Sequence, residues 1–120
     1  GYLLNPMLVE GQVHGGVVQG LGQAMMEHVV YDDNGQLLTA SFMDYGMPRA
    51  ADVPMFDFNS VVVPSTANPI GMKGCGEAGT IGSMAAVSNA VMDALASNGV
   101  TRADMPFTPQ RVWSMLQNAG

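Results

Sequence analysis

At 120 residues the chain has room for one domain, and its formal net charge of −6, with only four Lys plus Arg, argues against nucleic acid and anionic membrane surfaces as partners. The single cysteine rules out an intrachain disulfide, and no apolar run approaches the roughly 18 residues of a spanning helix, so the expected location is cytoplasmic. Charged residues are only 12% of the chain against 48% hydrophobic, which predicts a surface partly covered by something else.

Residues 1–11 read as an irregular lead-in, with Pro6 and Gly11 as breakers. The lead-in lacks the basic segment of a signal peptide and a start Met, so a processed or truncated product is expected. From Gln12 to about Val30 the apolar spacing of Val13, Val17, Leu21 and Met25 predicts a helix. Gly15, Gly16, Gly20 and Gly22 lie inside it, each costing up to ~1 kcal/mol of helix propensity. Gly16 and Gly20 share a face that another backbone or a flat cofactor could approach, and close packing on a neighbouring element is the preferred of the two readings.

Val29–Tyr31 and Leu37–Phe42 flank Asp32-Asp33-Asn34-Gly35, which predicts a β-hairpin. The hairpin explains the acidic pair better than a calcium loop, whose distal Glu is missing. Residues 43–55 read as loop, and Phe56 to Val63 as a third strand. Pro64 to Gly82 reads as a long glycine-rich loop, Ile81 to about Leu95 as a second helix, and Thr108 to Gln117 as a third, with Thr108 its cap and Pro109 in first position. This order predicts an α+β fold over residues 1–120: helices packed on a small, mainly antiparallel sheet, with a long glycine-rich active-site loop.

The loop carries the chemistry. Gly71-Met72-Lys73-Gly74-Cys75-Gly76-Glu77-Ala78-Gly79-Thr80-Ile81-Gly82 holds five glycines around one carboxylate. Glycine lets a backbone approach a ligand closely, and a lone acid there suits a general base. Gly74-x-Gly76-x-x-Gly79 matches the dinucleotide fingerprint formally, but no strand leads directly into it: Val63 lies eleven residues upstream. Glu77 stands where a P-loop needs its lysine. A cradle of N–H groups for an anion survives as a weaker reading. On residue pattern alone, Glu77 is equally a solvated loop acid or a helix-dipole partner. Cys75, His14 and His28 form no ligand set at metal-binding spacing, so no metal ligand is assigned.

Three ordered segments carry a resemblance: Gly11-Gln12-Val13-His14-Gly15-Gly16-Val17-Val18-Gln19-Gly20-Leu21-Gly22, then Phe42-Met43-Asp44-Tyr45-Gly46-Met47-Pro48, then the loop of residues 71–82. Together they resemble the C-terminal, molybdopterin-binding part of the large subunit of the molybdenum hydroxylase family (xanthine dehydrogenase and aldehyde oxidase), nearest to its aerobic carbon monoxide dehydrogenase branch. The resemblance implies that Glu77 is the general base, taking a proton as an electron-poor carbon is hydroxylated. It implies that Gln12 hydrogen-bonds the pterin and that Gly76 lets backbone pass near the metal. It also implies molybdopterin, as such or as a dinucleotide, and partners: the rest of the large subunit, flavin and iron–sulfur subunits, and a small-molecule substrate. The family's large subunit is several times longer, and Cys75 does not match the active-site cysteine of the carbon monoxide branch. The isolated chain is therefore expected to be inactive. A truncated, non-catalytic copy serving as an interaction module is the alternative.

Overall fold

The structure is a computed structural model and describes residues 1–119. Three α-helices carry it: α1 (Pro6–Met25), α2 (Ala78–Ala96) and α3 (Pro109–Asn118), with a short 3-10 turn at Ala50–Asp52. Helix α1 starts six residues earlier than its apolar spacing suggests. Asn5 caps it, its side chain accepting from the Leu8 amide at 3.1 Å, and Pro6 occupies the first turn. There the missing proline N–H is one that no helix satisfies, so Pro6 starts the helix instead of breaking it. The same arrangement opens α3, where Thr108 Oγ1 accepts from the Arg111 amide.

The core contact is the crossing of α1 and α2, and it is made of backbone. Gly16 and Gly20 on α1, and Gly79 and Ser83 on α2, are all buried. A Cβ on Gly16 would stand 2.9 Å from the Thr80 nitrogen and 3.2 Å from the Gly79 Cα. One on Gly79 would overlap the Val13 carbonyl oxygen and lie 2.7 Å from the Val17 nitrogen. Gly16 and Gly79 thus return their propensity cost as interhelical backbone contact, and Gly20 makes room for Ser83, while Gly15 meets nothing within 4 Å. Thr80 Oγ1 adds a hydrogen bond to Gln19 Oε1 across the crossing, at 3.2 Å. A small apolar core of Ala24, Leu95, Val100 and Phe107 closes the far end, where the Phe107 amide donates to the Ala24 carbonyl at 2.6 Å.

The expected sheet is not there. Among the described residues the β-structure is one antiparallel bridge, Tyr31 to Leu37. The hairpin turn itself is formed: Asp32 Oδ1 accepts from the amides of Asn34 (2.9 Å) and Gln36 (2.8 Å), and Gly35 takes φ +79°. Those bonds explain Asp32 without a metal. Residues 54–64 run without turn or bend, and no backbone group of theirs pairs with another among the described residues, so the expected third strand has no ladder. Alternation of apolar residues marks a chain suited to a sheet; a sheet also needs a second strand, and none lies within the described residues. The fold is therefore helical, not helices on a sheet, and residues 78–82 of the expected loop belong to α2.

The radius of gyration is 18.1 Å, where a globule of this length has about 14 Å. Large apolar side chains stay in the open, among them Phe42 (85%), Met43 (96%) and Val61 (92%). The low charge content has the structural counterpart it predicts: faces that this chain does not cover by itself.

Candidate active site

The glycine loop is held at both ends. Asn68 clamps it with its side-chain amide, Nδ2 donating to the Met72 carbonyl (3.0 Å) and Oδ1 accepting from the Met72 amide (3.2 Å). The Gly71 carbonyl accepts from the amides of both Tyr2 (3.1 Å) and Ser65 (3.0 Å). Gly71 has φ +69°, and the Tyr2 ring lies so close that a Cβ there would meet Cδ2 at 3.0 Å. Only glycine satisfies both demands. Sequence reading overlooked Asn68 and Tyr2. The Asn68-Pro69 pair is a turn signal that points to the first; nothing local points to the second.

The other end of the loop is set by the crossing. Gly79 rests on the backbone of Val13 and Val17, so the residues before it enter beside the turn of α1 that carries Gln12. Gln12 and Cys75 line one cavity of about 330 Å³ together with Tyr2, Asn5, Leu8, Met72 and Lys73. Glu77 is outside that lining. It occupies the cap position of α2 (φ −106°, ψ 4°), and its side chain makes no cap hydrogen bond. The carboxylate is exposed, as are Gln12 and Gly76. Both bland readings of Glu77, a solvated acid and a helix-dipole partner, agree with this exposed position at the start of α2. A Cβ on Gly74 or Gly76 would have no neighbour within 4 Å, and the same holds at Gly11 and Gly15 on α1. The described fold does not use the space at these four glycines.

The middle motif docks on the same helix. Tyr45 donates its hydroxyl to Glu27 Oε1 at 2.8 Å, just past the end of α1. This bond raises the Tyr45 pKa above 10.0, with burial and the Glu27 charge adding to it. A Cβ on Gly22 would meet Pro48 Cγ at 2.7 Å, so residues 45–48 lie against α1 as closely as α2 does. All three motifs thus meet on one helix. His14, between Gln12 and Gly16, stacks edge-on against Phe56 (5.8 Å between centroids, 65°), and its buried Nε2 lies 3.9 Å from Glu10 Oε1 with no hydrogen-bond partner among the described residues. Those residues hold no cluster of three or more His, Cys, Asp or Glu fit for a metal ion. Three larger cavities, of about 340, 400 and 570 Å³, lie elsewhere and include none of Gln12, Gly76 and Glu77.

The arrangement is a glycine-lined loop seated on a glycine-bearing helix, with an exposed amide on the helix and an exposed acid at the loop's end. The family model described as "Molybdopterin cofactor-binding domain" matches residues 1–54. The carbon monoxide dehydrogenase large chain of Hydrogenophaga pseudoflava is 43% identical over 98% of this chain and 15% of its own length. The nicotine 6-hydroxylase large subunit of Paenarthrobacter nicotinovorans is 45% identical over 93% of this chain and 14% of its own. The crystal structure of quinoline 2-oxidoreductase from Pseudomonas putida 86 superposes with a TM-score of 0.94 at 44% identity, covering all of this chain and 15% of that one. The chain belongs to the molybdenum hydroxylase large-subunit family, as its three motifs suggest. It spans about 15% of the length of these relatives. The three differ in the substrate they are named for and are about equally similar, so the substrate is not legible in this segment.

Proposed function

We propose that this chain works as part of the large subunit of a molybdopterin-dependent hydroxylase or dehydrogenase, supplying Glu77 as general base and Gln12 and Gly76 to the pterin site. The observation that carries the reading is the junction: a free carboxylate at the end of a loop that is docked, backbone on backbone, beside the turn bearing Gln12. The residues fit the group. Gln12 presents a donor and an acceptor to solvent, and the bare backbone at Gly74 and Gly76 leaves room that side chains would fill. When bound, the molybdenum cofactor supplies the oxygen to be transferred and takes up the electrons. Gln12 would hold the pterin edge through its amide. Glu77 would accept the proton released as the new carbon–oxygen bond forms, at a carboxylate oxygen, and pass it to solvent through its exposed side. The crossing of α1 and α2 would fix the spacing between these two residues, because Gly16 and Gly79 meet the facing helix backbone on backbone.

The relatives' names, large subunit among them, support flavin and iron–sulfur partner subunits and a small-molecule substrate with an electron-poor carbon. No helix among the described residues is long and apolar enough to cross a membrane, and Cys75 is a free thiol, which supports a place in the cytoplasm. The test is Glu77→Gln in the assembled enzyme. Turnover should fall at least about a hundredfold, the scale of a lost general base, with molybdenum and pterin content unchanged. Activity within about tenfold of wild type would remove Glu77 from the chemistry.

A further inference from the structure

Residues 54–63 form a run that the rest of the chain leaves unused. No backbone N–H or C=O of these ten residues pairs with another backbone group among the described residues. One of the ten is Pro54, so nine amides stand free. The side chains nevertheless alternate. Phe56 and Phe58 are half-buried, with Phe56 on the His14 ring of α1, while Met55 is 86% exposed on the other side. The pattern continues through Val61 (92%), Val62 (44%) and Val63 (58%). This is the period of a strand with one face laid on a helix.

A straight, apolar run with free amides pairs readily with other chains, and natural proteins blunt such an edge with lysine, bulges or a cover. Here there is no lysine, and Asp57 is the only charge. Pro54 and Pro64 stand at the two ends, where each stops a ladder from running on. The prolines limit pairing to residues 55–63, which matches the alternating stretch.

We propose that residues 55–63 are a strand of a sheet completed by the rest of the large subunit, which lends a neighbouring strand to their free amides and covers Met55, Val61 and Val63. The occupant follows from size: relatives that match nearly this whole chain are more than six times as long. The proposal rests on the reading that the chain works within that subunit, but not on the role of Glu77 or of the cofactor.

Hydrogen exchange with peptide mapping tests it, on the large subunit that contains this sequence and on the 120-residue chain alone. Molybdenum is measured on the same samples. In the large subunit the amides of 55–63 should exchange at least a hundredfold more slowly than in the chain alone, approaching the central turns of α2. Molybdenum-free subunit should show the same protection, and that result would support the strand while leaving the cofactor reading to its own test. Exchange at the rate of an unstructured peptide in the large subunit would overturn the proposal. Protection that grows with concentration in the chain alone would also overturn it, in favour of a second copy as the partner. In the large subunit, Val61→Pro should lose the protection and Val61→Thr, which keeps the amide, should retain it. Equal protection in both variants would contradict pairing through that amide.

Discussion

Adding one methyl group at Gly79 tests the helix crossing. In Gly79→Ala the new Cβ overlaps the Val13 carbonyl oxygen and lies 2.7 Å from the Val17 nitrogen and 3.1 Å from the Gly16 carbonyl carbon. All three are backbone atoms of α1, so none can swing aside. Overpacking of a tight contact costs about 1–3 kcal/mol, and this site belongs at the upper end. Alanine returns up to about 1 kcal/mol through helix propensity. The net is a loss of about 2 kcal/mol, or a melting point lower by about 8 °C for a chain of this size. Gly82→Ala is the control. It lies three residues along the same helix with no atom within 4 Å of its Cβ, so only the propensity term applies. It should gain about 0.5–1 kcal/mol. Urea titration followed by far-ultraviolet circular dichroism measures both, with the melting points as a check. Gly79→Ala as stable as wild type would refute the backbone-on-backbone crossing. So would an equal loss at Gly82, since that would mean the two helices meet elsewhere.

Gln12→Ala in the assembled enzyme should lower pterin content severalfold while leaving the α1 fold intact by circular dichroism; unchanged pterin would take Gln12 out of the site. Tyr45 holds its proton above its ordinary 10.0 because it donates to Glu27, so its contribution to stability is whole below pH 10 and is lost as the pH rises through the raised value. Tyr45→Phe should therefore be less stable than wild type at neutral pH and should lack that alkaline loss. Thermal melts from about pH 8 to about pH 12 would show it, and parallel profiles for the two proteins would mean that the bond to Glu27 does not form.

The helices were legible from short-range signals. Thr108 and Pro109 announce α3 by cap chemistry, and the paired glycines of α1 announce a close neighbour. The same cap logic applies to Asn5 and Pro6, where the glycines that follow masked it. The sheet was misread because alternation in Phe56–Val63 reports what a segment is suited to, not whether a partner lies in the same chain. The candidate site divides in the same way. The glycine loop and its single acid stand out in any reading of the residues. The approach of Glu77 to the Gln12 turn depends on Gly79 meeting Val13, a contact across more than sixty residues that no local pattern encodes.

The closest contacts of the α1–α2 crossing, Gly16 and Gly79 on the facing backbone, have no rotamers. A contact between side chains has alternative packings that heat or mutation can populate, whereas two backbones pressed together through missing Cβ atoms have one. The register of the two helices at Gly16 and Gly79 is then single-valued, whatever the neighbouring aliphatic residues become. That separates positions free to vary from positions that are not. Met72, Lys73 and Cys75 face a cavity, so substitutions there can reshape it without touching the helix crossing. A library confined to Met72, Lys73 and Cys75, with Gly16, Gly20, Gly79 and Ser83 untouched, would vary the cavity on a scaffold whose helix crossing stays constant.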